Sequence, residues 1–250
     1  SQQRIGALLL PDGSNAPVIH QHADDTTIHT PSVADAQTLI AEAVVPFGQA
    51  SGAKQNIPKS WGLTLGSHPP IAGVHAATGI CFKPPDEATR HLGVPLSSGD
   101  LAPHVTALYR RKLQGIAARI RHWSRLDLCL VGRAHVAKQV LASTLSYQAT
   151  FLAIPEAILA SITQLLLGYV LKGILVEEGG SALRGRPSQQ ACSLPREMGG
   201  LGLLDLAAHV QGLQDKVAAL LLHPRRFAWK SLMAASFAQA FPGLGPAVLV

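Results

Sequence analysis

Cysteine is scarce in this chain: Cys81, Cys129 and Cys192 are the only three among 250 residues, and they stand far apart. No C-x-x-C pair exists, which excludes a zinc finger or knuckle and argues against a disulfide framework. That usage predicts a reduced, intracellular protein, in nucleus or cytoplasm and not secreted. Charge is also sparse, at 14% of residues, and aromatics make up 5%. No G-x-x-x-x-G-K run is present, so the glycines at 199 and 200 are not a phosphate cradle. No internal repeat is visible, and no Ser/His/Asp nucleophile arrangement can be picked out. No charged segment leading into an apolar run opens the chain, so no signal peptide is expected. The first residue is Ser1, which suggests a piece of something longer.

Apolar residues are abundant instead. At 47% hydrophobic the chain can bury a core and is not a disordered one. Its length suits one large domain or two small ones. Twenty-one Lys and Arg against 15 Asp and Glu leave a net charge of +6, which points weakly to an anionic partner. The longest apolar stretch, IPEAILASITQLLLGYVLKGILV at 154–176, has the length of a membrane span. Ser161, Gln164, Gly168 and Lys172 recur in it at three- and four-residue steps, so a polar stripe on a buried amphipathic helix is expected, and no membrane.

PDGSNA at 11–16 is turn chemistry. Residues 17–22 and 26–30 alternate on either side of Ala23-Asp24-Asp25, which predicts a β-hairpin with the aspartates at its tip. A helix is expected from Ser32, a cap, to Gly48, with Val33, Ala36, Leu39, Ile40 and Val44 on one face. A loop at 50–60 enters a strand near Trp61–Leu65. Residues 66–90 read as irregular, and HLGVPL at 91–96 as a short strand. Tyr109, Leu113, Ile116, Ile120 and Trp123 form one apolar stripe on a long helix. Around it sit Arg110, Arg111, Lys112, Arg119, Arg121 and Arg125, with no acid between Asp100 and Asp127. Helices follow at about 132–151 and 154–176, then a loop at 185–206, then helices at about 207–222 and 226–240. Trp61 and Trp123 are expected in the core, and His135 and Lys138 on an exposed helix side. Strands first and helices afterwards predict an α+β fold with a helical second half.

HQHADDTTIH, residues 20–29, packs three histidines and two adjacent aspartates into one short stretch. Two chemistries fit. His20 and His22 lie on one strand face with Asp24 following, as in the H-x-H-x-D loops of zinc hydrolases. The next residue is Asp25 where such a loop has histidine, and His68, His75, His91 and His104 are the only distant candidates to complete it. Alternatively, adjacent carboxylates at a rigid hairpin tip are hard ligands for Mg²⁺ in a two-metal nucleotidyl transfer. An Asp-Asp pair by itself is most often a solvated turn.

The company of that pair separates them. After ADD comes F-x-x-A-S-G-A-K-x-N-x-x-K-S (Phe47, Ala50, Ser51, Gly52, Ala53, Lys54, Asn56, Lys59, Ser60), then HLGVPL. H-W-S-x-L-x-L-x-x-x-G-R-x-x-x-x-K-x-V-L at 122–141 and L-P-R-E-x-G-G-L-G-L-x-D at 194–205 follow. In order and spacing this series resembles the reverse transcriptases of LINE-type (non-LTR) retrotransposons, from about residue 5 to 232. Each motif is weakly specific; five in series are strong.

The resemblance implies the later palm at 1–100, a helical thumb-like region at 101–182, and a post-thumb loop and helices at 183–250. It makes Asp24 and Asp25 the catalytic Mg²⁺-site aspartates, with Mn²⁺ as a substitute ion. His22 takes the place of the motif's aromatic residue, a departure next to the primer end. Lys54 or Lys59 would approach nucleotide phosphates, and Leu92 and Gly93 the primer strand. Arg110, Arg111, Lys112, Arg119, Arg121 and Arg125 would track the template–primer duplex through sequence-independent phosphate contacts. The partners implied are an RNA template and a DNA primer. The family's earlier palm strand with a further catalytic Asp, its glycine-containing motif and its fingers would have to precede Asp24, where 23 residues stand. The expectation is an RNA-directed DNA polymerase fragment, inactive alone. A non-catalytic nucleic-acid-binding remnant is the alternative, and a zinc hydrolase the third reading.

Overall fold

The computed structural model describes residues 8–66, 68–175, 187–225 and 227–240. The expected helix start at Arg226, the opening of the 185–206 loop, the junction of the second and third regions at 182–183, and the tail FPGLGPAVLV lie outside them. The fold is mixed α+β, with small sheets in the first part and helices after them. The chain divides into two compact units, residues 1–84 with 219–250, and residues 85–218.

In the first unit, strands β1 (Ile19–His22) and β2 (Asp25–Ile28) form an antiparallel hairpin. It is a two-stranded sheet, and all four residues of β1 are exposed. Helix α1 (Val33–Leu39) starts where the sequence places it: the Ser32 hydroxyl accepts the Asp35 N–H, satisfying one of the orphan amides of the first turn. The expected apolar face runs on through a π-helical turn, Ile40–Val44, into α2 (Val45–Ser51). Pro46 accounts for the widening, because it lacks an N–H and its ring crowds the carbonyl four residues back. Gly52 then ends the helix with a φ of +75°.

The segment at 66–90, expected to be irregular, contains two short strands and the start of a third. β3 (Trp61–Gly62), β4 (Gly73–Val74) and β5 (Cys81–Phe82) make a three-stranded sheet in the order β3-β5-β4. Two-residue strands carry too little alternation to be read from sequence. Trp61 is half-buried.

In the second unit, HLGVPL is half of a hairpin rather than a single strand. β6 (Thr89–His91) pairs with β7 (Val94–Leu96), and Leu92 and Gly93 make the turn. Both turn residues have positive φ, +46° and +83°, the signature of a type I′ turn. Five helices follow: α3 (Ala102–Trp123), α4 (Leu130–Val136), α5 (Ser143–Ala149), α6 (Glu156–Lys172) and α7 (Gln189–Ser193). A π-helical stretch, Ala137–Ala142, joins α4 to α5. Most of α8 (Leu206–Leu221) lies in this unit, while residues 219–221 and α9 (Ala228–Ala240) belong to the first.

The main core lies among these helices. Tyr109, Ile116 and Ile120 of α3 are fully buried, with Leu113 and Trp123 packed against them, as the stripe predicts. α6 supplies Ile162, Leu166, Tyr169 and Val170. Gly168, expected on the polar stripe of α6, is buried instead, because a glycine presents no polar atom beyond its backbone. Among the described residues no helix is long and apolar enough to cross a membrane. Gly200 is required by close approach: a Cβ there would sit 2.0 Å from the Leu194 carbonyl oxygen.

Candidate metal hairpin and candidate nucleic-acid interface

The hairpin tip is a two-residue turn, Ala23-Asp24, between His22 and Asp25, which pair across the strands. Ala23 has a φ of +53° and is one of two non-glycine residues in the left-handed region among the described residues. A positive φ at the first turn position alone is the type II′ pattern, where glycine is favoured. His22, Ala23, Asp24 and Asp25 are all exposed. The tip therefore presents two consecutive carboxylates, with the backbone on both sides held by ladder hydrogen bonds.

The histidines of this stretch do not assemble a zinc site. His20 lies edge-on to His29, with ring centroids 5.2 Å apart. Among the described residues no three His, Cys, Asp or Glu side chains come together as a metal-binding group. The aspartate pair suits Mg²⁺ in donor chemistry, since both groups are hard oxygen ligands, but supplies two carboxylates rather than three. All three cysteines are free, Cys192 buried and Cys129 exposed.

Lys54 and Lys59 are exposed, Lys54 in the loop after α2 and Lys59 at the end of a short 3₁₀ turn, Ile57–Lys59. The Asn56 side chain caps that turn by accepting the Lys59 N–H. Leu92 and Gly93 form the β6–β7 turn, which is tied to α5. The Tyr147 hydroxyl donates to the Leu92 carbonyl at 2.6 Å, and the Gln148 amide donates to the Gly93 carbonyl at 3.4 Å.

The α3 cations occupy two faces. Positions 111, 115 and 119 step by four and share one side, which Lys112 borders, while Arg110 and Arg121 lie eleven residues apart on another. Arg111, Lys112 and Arg119 line a cleft of about 380 Å³ together with Arg90 of β6 and His104. Arg90 escaped the sequence reading because no helix periodicity links it to α3, and His104 because it drew notice only as a distant zinc ligand. Among the described residues no carboxylate lines this cleft. Lys112 is half-buried and donates to the Thr144 carbonyl at 2.8 Å. Burial first, then the charges of Arg90 and Arg119, push its pKa below the ordinary lysine value. Gly115, in the same lining, leaves the α3 wall bare: a Cβ there would meet nothing within 4 Å.

Arg125 lies apart, in a second hollow of about 360 Å³ lined also by Arg133, Lys172 and Asp127. Gly173 leaves room for the Arg133 guanidinium, whose Nη1 would sit 2.6 Å from a Cβ. One histidine–hydroxyl pair was not legible in sequence: Ser146 and His209 meet at 3.1 Å across α5 and α8. The Gln214 amide reaches the Ala149 carbonyl between the same helices, so the contact serves as a clasp. His135 and Lys138 are exposed as expected.

No protein-family model matches the chain, and no curated protein matches it.

Proposed function

We propose that the chain is the late palm and thumb of a LINE-type reverse transcriptase, an RNA-directed DNA polymerase, and that it is inactive alone. The observation carrying this reading is the Ala23 turn. A left-handed alanine costs on the order of 1 kcal/mol, and a turn serving only as a connection would relieve that with glycine or asparagine. The strained turn exposes Asp24 and Asp25 together on a braced backbone. In this reading Asp24 and Asp25 would hold Mg²⁺ or Mn²⁺, and the bound ion would supply Lewis-acid activation of a 3′-hydroxyl and charge neutralisation of pyrophosphate. A third carboxylate would come from the palm strand that the motif order places ahead of the hairpin. His22 would abut the primer end, Lys54 or Lys59 the nucleotide phosphates, and Leu92-Gly93 the primer strand. The α3 cations would hold the RNA–DNA duplex, and the protein would act in nucleus or cytoplasm.

Primer extension on an RNA template, run beside Asp24→Ala, tests the inactivity. The expected result is no extension above the variant; steady extension abolished by Asp24→Ala would overturn it. Mn²⁺ binding followed by electron paramagnetic resonance tests the metal. It should be weak and lost on replacing both aspartates, and unchanged binding would remove the metal role.

The cationic cleft favours a second reading, a nucleic-acid-binding remnant without chemistry, because it needs neither aspartate. Salt-dependent binding to RNA–DNA hybrid, indifferent to Asp24→Ala and to chelation, would support it.

A further inference from the structure

Helix α5 joins two features that no single motif connects. Thr144 lines the cationic cleft, and Tyr147, one turn along, leans on the Gly93 that lines it too. Four residues further, Phe151 meets the Tyr147 ring edge-on, with centroids 5.6 Å apart. These rings are 49% and 59% exposed, although each carries enough apolar surface to be worth burying. The tyrosine hydroxyl is engaged by the Leu92 carbonyl, so its ring is held in place rather than swinging in solvent. An exposed aromatic pair, with the Tyr147 ring against Gly93 of the lining, thus adjoins a cleft whose described lining holds cations and no carboxylate.

We propose that the β6–β7 turn, α5 and the turn that follows it form a site for single-stranded nucleic acid, with the phosphodiester backbone in the Arg90–Arg111–Arg119 cleft and bases stacked on Tyr147 and Phe151. The chemistry selects this ligand. Positive grooves bordered by aromatic rings bind single strands, because unpaired bases offer their faces while a duplex hides them in its own stack. An acidic protein would satisfy the cations and leave the rings unused. The proposal rests on the nucleic-acid part of the function proposed above, adding a single-strand mode to cations that would also hold duplex phosphates, and not on its metal chemistry.

The test is fluorescence anisotropy with the full chain, in chelator so that any metal site is silent. The probes are oligothymidylate of about 20 nucleotides, enough to span a groove of this kind, and a blunt duplex of equal length. Phe151→Leu keeps apolar bulk, removes the ring and breaks no side-chain hydrogen bond. It should weaken single-strand binding about fivefold or more and leave duplex binding within about twofold. Tyr147→Leu should do the same, while Tyr147→Phe, which keeps the ring, should bind nearly as the parent. Arg111→Ala should weaken both ligands and flatten the salt dependence. The site is overturned if Phe151→Leu binds oligothymidylate as well as the parent. It is equally overturned if Phe151→Leu weakens both ligands alike, or if polyglutamate competes as well as oligothymidylate. Mn²⁺ binding left unchanged by replacing both aspartates, which would remove the metal role, would leave all of these outcomes as they are.

Discussion

Leu92 sits at a φ of +46°, a conformation a branched side chain adopts only under constraint. The constraint is the type I′ turn it shares with Gly93, anchored by Tyr147. Asparagine tolerates that region and is favoured in this turn. Leu92→Asn should therefore stabilise the helical unit by roughly 0.5–1 kcal/mol. In urea unfolding this would raise the midpoint with the slope unchanged, whereas a lowered midpoint would mean the Leu92 side chain matters more than its backbone. Tyr109 is a second residue with a readable consequence. Its hydroxyl donates to the Leu152 carbonyl at 2.8 Å inside the core, and burial pushes its pKa up to about 12. The unfolded phenol ionises near 10, so the folded state keeps its proton where the unfolded state loses it. That stability is fully present below pH 10 and is lost as pH rises towards 12. Absorbance at about 295 nm should show a late-titrating phenol that disappears in Tyr109→Phe.

Helix α3 shows how an element divides work among its faces. The Tyr109–Ile116–Ile120 side packs the core, one flank carries Arg111 and Arg119 into the cleft, and another carries Arg110 and Arg121 outward. Gly115 interrupts the cleft face of a 22-residue helix at a cost of about 0.5–1 kcal/mol relative to alanine, though nothing in the structure would collide with a methyl group. In the site proposed above, the bare wall would let a ligand backbone approach closely. Gly115→Ala should raise the melting temperature by a few degrees and weaken oligonucleotide binding severalfold. Higher stability with unchanged binding would show that the cleft wall takes no ligand. Helix α6 could be read as buried with a polar stripe: Gln164 and Lys172 are exposed and Ser161 half-buried, while Gly168 turns inward within the wholly buried run Leu165–Val170.

Across the whole chain the two units differ in how much apolar surface they hide. The core of the second unit gathers residues from α3 through α8. In the first, Leu9, Phe47, Leu65 and Val74 are each at least 60% exposed, and the aspartate hairpin is a lone strand pair. A two-stranded sheet is marginal in water by itself. Hydrogen exchange should therefore be fast in β1 and β2 and slowest in α3 and α6. Ile162→Ala in α6 should cost roughly 2–5 kcal/mol by opening a cavity in the larger core. Slow exchange in the hairpin would show that a partner strand covers it.

Local patterns were legible without any structure. The Ser32 cap, the hairpin around Ala23-Asp24-Asp25 and the α3 stripe follow from turn chemistry and periodicity, which act over a few residues and are written consecutively. The sequence by itself thus determined the α+β class and the placing of two carboxylates at a strand turn. Tertiary structure decided what no spacing records. Packing brought Arg90 and His104 to Arg111 and Arg119, tied Lys112 to the Thr144 carbonyl, turned Gly168 inward and joined Ser146 to His209. Those outcomes depend on which helix faces meet, and a periodic cation stripe looks the same whether it borders a cleft or open water.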